Sequence, residues 1–193
     1  MDNTVTDQRR LSWPKCSVEK CPIVQFQVLQ AENFPKRTYP LLFYPGVITE
    51  APAGEDLCSR MQSIFEQNNW KNGWTDSIYE FHHYHSNTHE VLGIFRGSAS
   101  VQFGGDSGLT LSVLKGDVII IPAGLSHCRL GSSRDFKCCG AYPGGAQWDM
   151  NYGKESAAQL VQVHKNIHHV QLPELDPLFG QNGPLFHHWN STI

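Results

Sequence analysis

The sequence has no long apolar run, no excess of either charge and few cysteines, and each shortage removes a class of function. Wholly apolar stretches such as Val118 to Ile121 extend only a few residues, far short of the roughly 20 that span a bilayer as a helix. No membrane role is expected. Lys and Arg number 15 against 18 Asp and Glu, a formal charge of -3, and no five-residue window is a run of one sign. The basic footprint of a nucleic-acid binder is therefore missing. The cysteines, Cys16, Cys21, Cys58, Cys128, Cys138 and Cys139, form no CxxC pair and are too sparse for a disulfide scaffold, so reduced thiols are expected. Asp2, Asp7, Arg9 and Arg10 near the start are followed by no apolar segment, which argues against a secretory leader and makes the cytoplasm the expected compartment.

What is present is 193 residues at 40% hydrophobic content, enough for one ordinary core, so residues 1–193 are read as a single domain. Residues 1–45 read as an N-terminal arm and a strand around Ile23, Val24, Phe26, Val28 and Leu29. Residues 46–73 carry Leu57, Met61, Ile64 and Phe65 at helical spacing, with Glu55 and Asp56 in the first turn, where the helix dipole favours acids. Residues 74–150 change character: short β-branched and aromatic runs are separated by Gly97, Gly104-Gly105 and Gly116, the rhythm of an all-β barrel or sandwich. Ser98 to Phe103 and Leu109 to Val113 alternate about a glycine-rich turn, as a hairpin does, and Val118 to Ile121 reads as a strand buried on both faces. Residues 151–193 read as a helix from about Lys154 to His164, then an irregular strap with three prolines.

Of the ten histidines, four fall within His82 to His89, and Glu90 follows. On an extended chain His83 and His85 share a face while His82 and Tyr84 share the other, so two imidazoles can grip one ion. An unbroken strand would bring His89 to that face rather than Glu90. Ser86-Asn87-Thr88 has the chemistry of a turn and can reset the phase, so spacing leaves both His89 and Glu90 open as the next ligand. Further on, Gly116-Asp117 opens an apolar strand that a proline stops before His127, which supplies a third imidazole.

These two segments resemble the paired motifs of the cupin superfamily. The first, G-x5-H-x-H-x4-E-x6-G, matches at His83, His85, Glu90 and Gly97, with Ser77 in place of the opening glycine. The second, G-x5-P-x-G-x2-H-x3-N, matches at Gly116, Pro122, Gly124 and His127, with Gly131 in place of the asparagine. The run from His82 to Gly93, the Phe103-Gly104-Gly105 turn, Ala141-Tyr142-Pro143 and the Leu172 to Pro177 tail are similar to the YjlB-like cupin subfamily. The resemblance implies a double-stranded β-helix, or jelly-roll barrel, with one or two flanking helices. It also implies that His83, His85, Glu90 and His127 hold one divalent metal, with His89 turned away. Assembly as a homodimer is a further implication, and the apolar stretch Tyr39 to Ile48 is a candidate strand to add to a neighbouring copy's sheet.

Other signals read more simply. Gly105-Asp106-Ser107-Gly108 copies a serine-protease tetrapeptide but sits in the hairpin turn. His89-Glu90 begins a zinc-protease motif whose second histidine is replaced by Gly93. Tyr79 and Phe81 have the parity of His83 and are candidate substrate-binding residues, as is Arg129, which shares the face of His127 and can grip a carboxylate. Three imidazoles and a carboxylate leave open positions on an octahedral ion, so the leading expectation is a non-haem Fe2+ oxidoreductase or dioxygenase acting on a small organic molecule, with Glu90 also able to act as a base. Mn2+, Ni2+ and Zn2+ suit the same donors. An isomerase or lyase working by Lewis-acid and proton-transfer chemistry is the alternative, and a non-catalytic ligand-binding module is the third reading.

Overall fold

A computed structural model describes residues 23–36 and 39–189. The expected N-terminal arm, with Cys16 and Cys21, lies outside the described residues. Among the described residues nine strands and three helices follow in order: β1 (Val24–Phe26), β2 (Leu41–Tyr44), α1 (Leu57–Gln67), β3 (Trp70–Asp76), β4 (Glu90–Arg96), β5 (Ser98–Phe103), β6 (Leu109–Leu114), β7 (Val118–Ile121), β8 (His127–Ser132), β9 (Lys137–Pro143), α2 (Ala157–His169) and α3 (Pro184–Trp189). They form a six-stranded sheet in the order β1-β2-β7-β4-β9-β3 and a three-stranded sheet in the order β6-β5-β8, all neighbours antiparallel. This is the expected jelly-roll architecture with flanking helices. Among the described residues no helix is long and apolar enough to cross a membrane.

Period-2 alternation explains the layering. Leu92 and Ile94 of β4, Ile119 and Ile121 of β7, and Val101 and Phe103 of β5 meet in one core between the sheets. The alternate residues Val91, Val118 and Ile120 face outward into a second core, under Met61 and Phe65 of α1 and Leu185 and Trp189 of α3. The large sheet is thus covered on both faces, which is why β7 is apolar throughout and fully buried. β5 and β6 pair from Ser98↔Leu114 to Phe103↔Leu109, and the tetrapeptide Gly105 to Gly108 is their turn.

Helix α1 lies against β4 where the strand has no side chain. A Cβ on Gly93 would stand 2.8 Å from Met61 Sδ and 3.1 Å from Phe65 Cζ. The Gly93→Val variant is therefore expected to lose roughly 1–3 kcal/mol by overpacking, read as a lower urea midpoint at unchanged slope.

Several element boundaries differ from expectation. Asp56 is the N-cap of α1, accepting from the Ser59 N–H, rather than a first-turn residue. β3 begins at Trp70, within the stretch read as helical, because Asn69 turns the chain at φ 61° directly after α1. The C-terminal strap ends in α3, where Pro184 occupies the first helical position and its missing N–H does no harm. α2 runs on to His169, opened by a capping box of Ser156 and Gln159. The strand within Tyr39 to Ile48 is paired on both edges inside the chain, to β1 and to β7, so it is not free to extend a neighbour's sheet. Among the described cysteines, Cys58 is half-buried, Cys128, Cys138 and Cys139 are buried, and all four are free thiols.

Candidate metal centre

Three chain segments bring His83, His85, Glu90 and His127 to one end of a cavity between the sheets. His83 lies just before β4 and exchanges two backbone hydrogen bonds with His127 at the start of β8, so their rings come within 4.2 Å, centroid to centroid. His127 is directly opposite Phe103, whose side chain points into the inner core, so the imidazole points inward too. Glu90 opens β4 with the parity of Leu92 and Ile94 and therefore also faces in. His89 faces out and packs on Trp189 at 4.6 Å. The Ser86 to Thr88 turn resets the phase, and the choice left open by spacing falls to Glu90.

Each imidazole has its Nδ1 against a backbone carbonyl: His83 on Phe81 at 3.1 Å, His85 on Asp149 at 2.5 Å and His127 on Leu125 at 3.3 Å. A carbonyl only accepts, so each Nδ1 carries the proton and each Nε2 presents a lone pair. Two of those nitrogens, of His85 and His127, stand 3.5 Å from Glu90 Oε2. That oxygen is buried without a hydrogen-bond partner among the described residues. Nitrogen lone pairs facing a buried carboxylate oxygen repel it unless a cation lies between them, a metal ion or the proton that Glu90 favours on His85. Two donors about 2.1 Å from one ion lie roughly 3.0 Å apart at an octahedral angle and roughly 3.4 Å apart at a tetrahedral one, so the 3.5 Å spacing would close slightly around a divalent metal. Among the described residues no group of three His, Cys, Asp or Glu side chains stands, as placed, so that it could hold a metal ion, and the four donors would have to draw inward around one.

The electrostatics agree with this donor set. Burial pushes His127 well below its ordinary pKa and lowers His83, which keeps both rings neutral. Burial acts the same way on His85, but the Glu90 carboxylate beside it prevails and raises it. For Glu90 burial opposes charge, yet the three imidazoles, His85 foremost, hold the carboxyl down to about 2.

The cavity holds about 300 Å³, room for a small molecule. Tyr79 lines it as expected and stacks on Phe81 at 4.8 Å. Phe81 lies outside that wall, half-exposed, with its ring tilted against His83. Arg129 is not brought to the cavity. Its guanidinium is held by the Ile78 carbonyl, Ser132 and Glu80, because the strand carries it past the mouth.

Four further residues belong to the site. Tyr142 of β9 donates to Glu90 Oε1 at 3.0 Å and accepts from Trp74 Nε1 at 2.9 Å. The signal for Tyr142 was available: Cys138, Gly140 and Tyr142 alternate inward on one strand. Trp148 tilts over His85 at 5.3 Å, and Asp149, besides offering its carbonyl to His85, takes hydrogen bonds from the backbone and hydroxyl of Ser86. These two come from a loop with no periodicity to announce them.

No family model matches the chain. YjlB, an uncharacterized protein of Bacillus subtilis (strain 168), is 40% identical over 151 residues, covering 78% of this chain and 86% of that protein. Among solved structures, acireductone dioxygenase from Bacillus anthracis, with a cadmium ion in its active center, is 16% identical over 53% of this chain and 77% of its own, at a TM-score of 0.40. The WlaRB TDP-quinovose 3,4-ketoisomerase of Campylobacter jejuni is 15% identical over 50% and 75%, at 0.36. At these values the structural likeness is partial and distant, whereas the relation to YjlB spans most of both chains, and by it this chain belongs to the YjlB-like group of the cupin superfamily.

Proposed function

We propose that the chain is a mononuclear metal-dependent oxidoreductase of the non-haem iron type, a dioxygenase acting on a small organic molecule. The observation that carries this reading is the approach of the His85 and His127 Nε2 atoms to the unpartnered Glu90 Oε2 in the wall of a cavity, with the His83 ring against that of His127. His83, His85, Glu90 and His127 would hold the ion. When bound, a divalent ion supplies Lewis acidity there and, as Fe2+, redox chemistry toward substrate and dioxygen. Trp74, Tyr79 and Trp148 wall the cavity with aromatic surface. Among the described residues lining it, the charged side chains are Asp76 and Glu90, and Asp76 is paired with Lys137 at 3.2 Å. Such a lining suits a neutral molecule or one with a single acidic group, and disfavours a phosphorylated one.

Elemental analysis of the untagged protein, followed by oxygen-electrode assays of the iron-loaded form with keto acids, thiols and phenols, tests the reading. About one metal per chain and oxygen uptake with some member of the panel are expected. Absence of metal, or no uptake across the panel, would overturn it.

A second reading, an isomerase or lyase, is favoured by the Tyr142 phenol, which meets Glu90 at the cavity wall where a proton can be passed. Turnover under nitrogen separates the two.

A further inference from the structure

The two oxygens of Glu90 are not equivalent. Glu90 Oε1 is held at 3.0 Å by the Tyr142 hydroxyl, while Oε2 has no hydrogen-bond partner among the described residues and faces Nε2 of His85 and His127. The direction of the phenol proton follows from its other neighbour. Indole Nε1–H only donates, so at the 2.9 Å contact Tyr142 Oη is the acceptor from Trp74, and its own proton is left for the carboxylate. Trp74 in turn has a fixed seat. Its indole lies flat over Gly140, where a Cβ would stand 2.3 Å from Cε2 and 2.4 Å from Nε1, so any side chain at 140 would lift the ring away. Gly140, Trp74 and Tyr142 form a chain of contacts that ends on one oxygen of a buried carboxylate.

From this geometry we infer that Tyr142 is a positioning residue that restricts Glu90 to one-oxygen ligation of the metal. The inference rests on the metal reading above. A carboxylate free at both oxygens can chelate an ion through the pair, as it does in many oxygen-rich sites. With Oε1 engaged by the phenol, Glu90 would offer an ion one oxygen beside the three imidazoles, and an octahedral ion would keep two further positions for small molecules. Without the phenol, Oε1 competes for one of those two.

The probe is Mn2+ alone, bound to the full-length protein, with water-proton relaxation reporting how many positions on the ion exchange with solvent. Mn2+-loaded wild type is expected to show about twice the inner-sphere relaxivity of Tyr142→Phe, two open positions against one. A purely structural role for the hydroxyl would change stability and leave that ratio near one. Wild type that binds no Mn2+ removes the metal reading itself. Wild type that binds Mn2+ with a relaxivity matched by Tyr142→Phe overturns the role of Tyr142 and leaves the metal reading standing. If Tyr142→Phe does not fold or bind, Trp74→Phe carries the test, since it keeps the phenol and removes the donor that orients it. A relaxivity below that of the wild type is then expected, and the wild-type value would overturn the inference.

Discussion

His127→Ala is expected to fold and yet to lose its divalent ion on dialysis, and His83→Ala to behave the same way. Removing one of four donors from a protein site should weaken binding by at least about a hundredfold, the upper end of the losses caused by disturbing groups that merely support a ligand. The fold should survive because His83 and His127 contribute to the sheet through their backbones, which exchange hydrogen bonds that an alanine also makes. Glu90→Gln should lose the ion as well, while His89→Ala, whose ring faces Trp189 on the other side of β4, should keep it. Elemental analysis beside a thermal melt reads both effects at once. Stoichiometric metal retained in both histidine variants would end the proposal.

Asp176→Ala should be the most destabilising single change in the tail, costing on the order of 3–5 kcal/mol. The carboxylate is fully buried, and four donors meet on it. Tyr44 Oη at 2.9 Å and the Leu185 N–H at 3.1 Å reach Oδ2, while the N–H groups of Leu178 and Phe179 reach Oδ1 at 2.8 and 3.1 Å. Alanine would leave those donors buried and unpaired, and each unpaired group costs about 1–3 kcal/mol before relaxation. Gly183 presses against Asp176, so a bulkier replacement has no room either. Urea unfolding followed by tryptophan fluorescence measures the loss. A shift below about 1 kcal/mol would show that the tail is fastened some other way.

The barrel was legible in the sequence because sheets declare themselves by alternation. The β5–β6 hairpin and the doubly buried β7 follow from which residues are apolar at every second place. Parity also separated His82 from His83: His82 meets Gln102 and Cys128 on the outer side of the small sheet, away from the cavity. It could not separate His89 from Glu90, because the intervening turn has no period to count through; the cupin resemblance favoured Glu90, and Glu90 is the one that faces the cavity. Arg129 shows the limit of counting faces. Its parity matches His127, but a long side chain goes where its hydrogen bonds are, and Glu80 lies nearer than the cavity. The support for His85 was illegible for a different reason. Asp149 acts partly through its carbonyl, which every residue possesses, so nothing in its identity marks that use.

The closing turn of the chain has a bearing on the order of assembly during synthesis. Trp189 stacks on Tyr39 at 4.8 Å, donates its indole N–H to the Pro40 carbonyl, and backs the ring of His89 beside Glu90. A nascent chain still threaded through the ribosome at residue 189 has every proposed ligand outside, but lacks the wall behind His89, the neighbour of one of them. Docking of that wall thus waits until Trp189 itself has emerged, and a ribosome stalled before that point should display a barrel open at the rear to proteases and to competing ions.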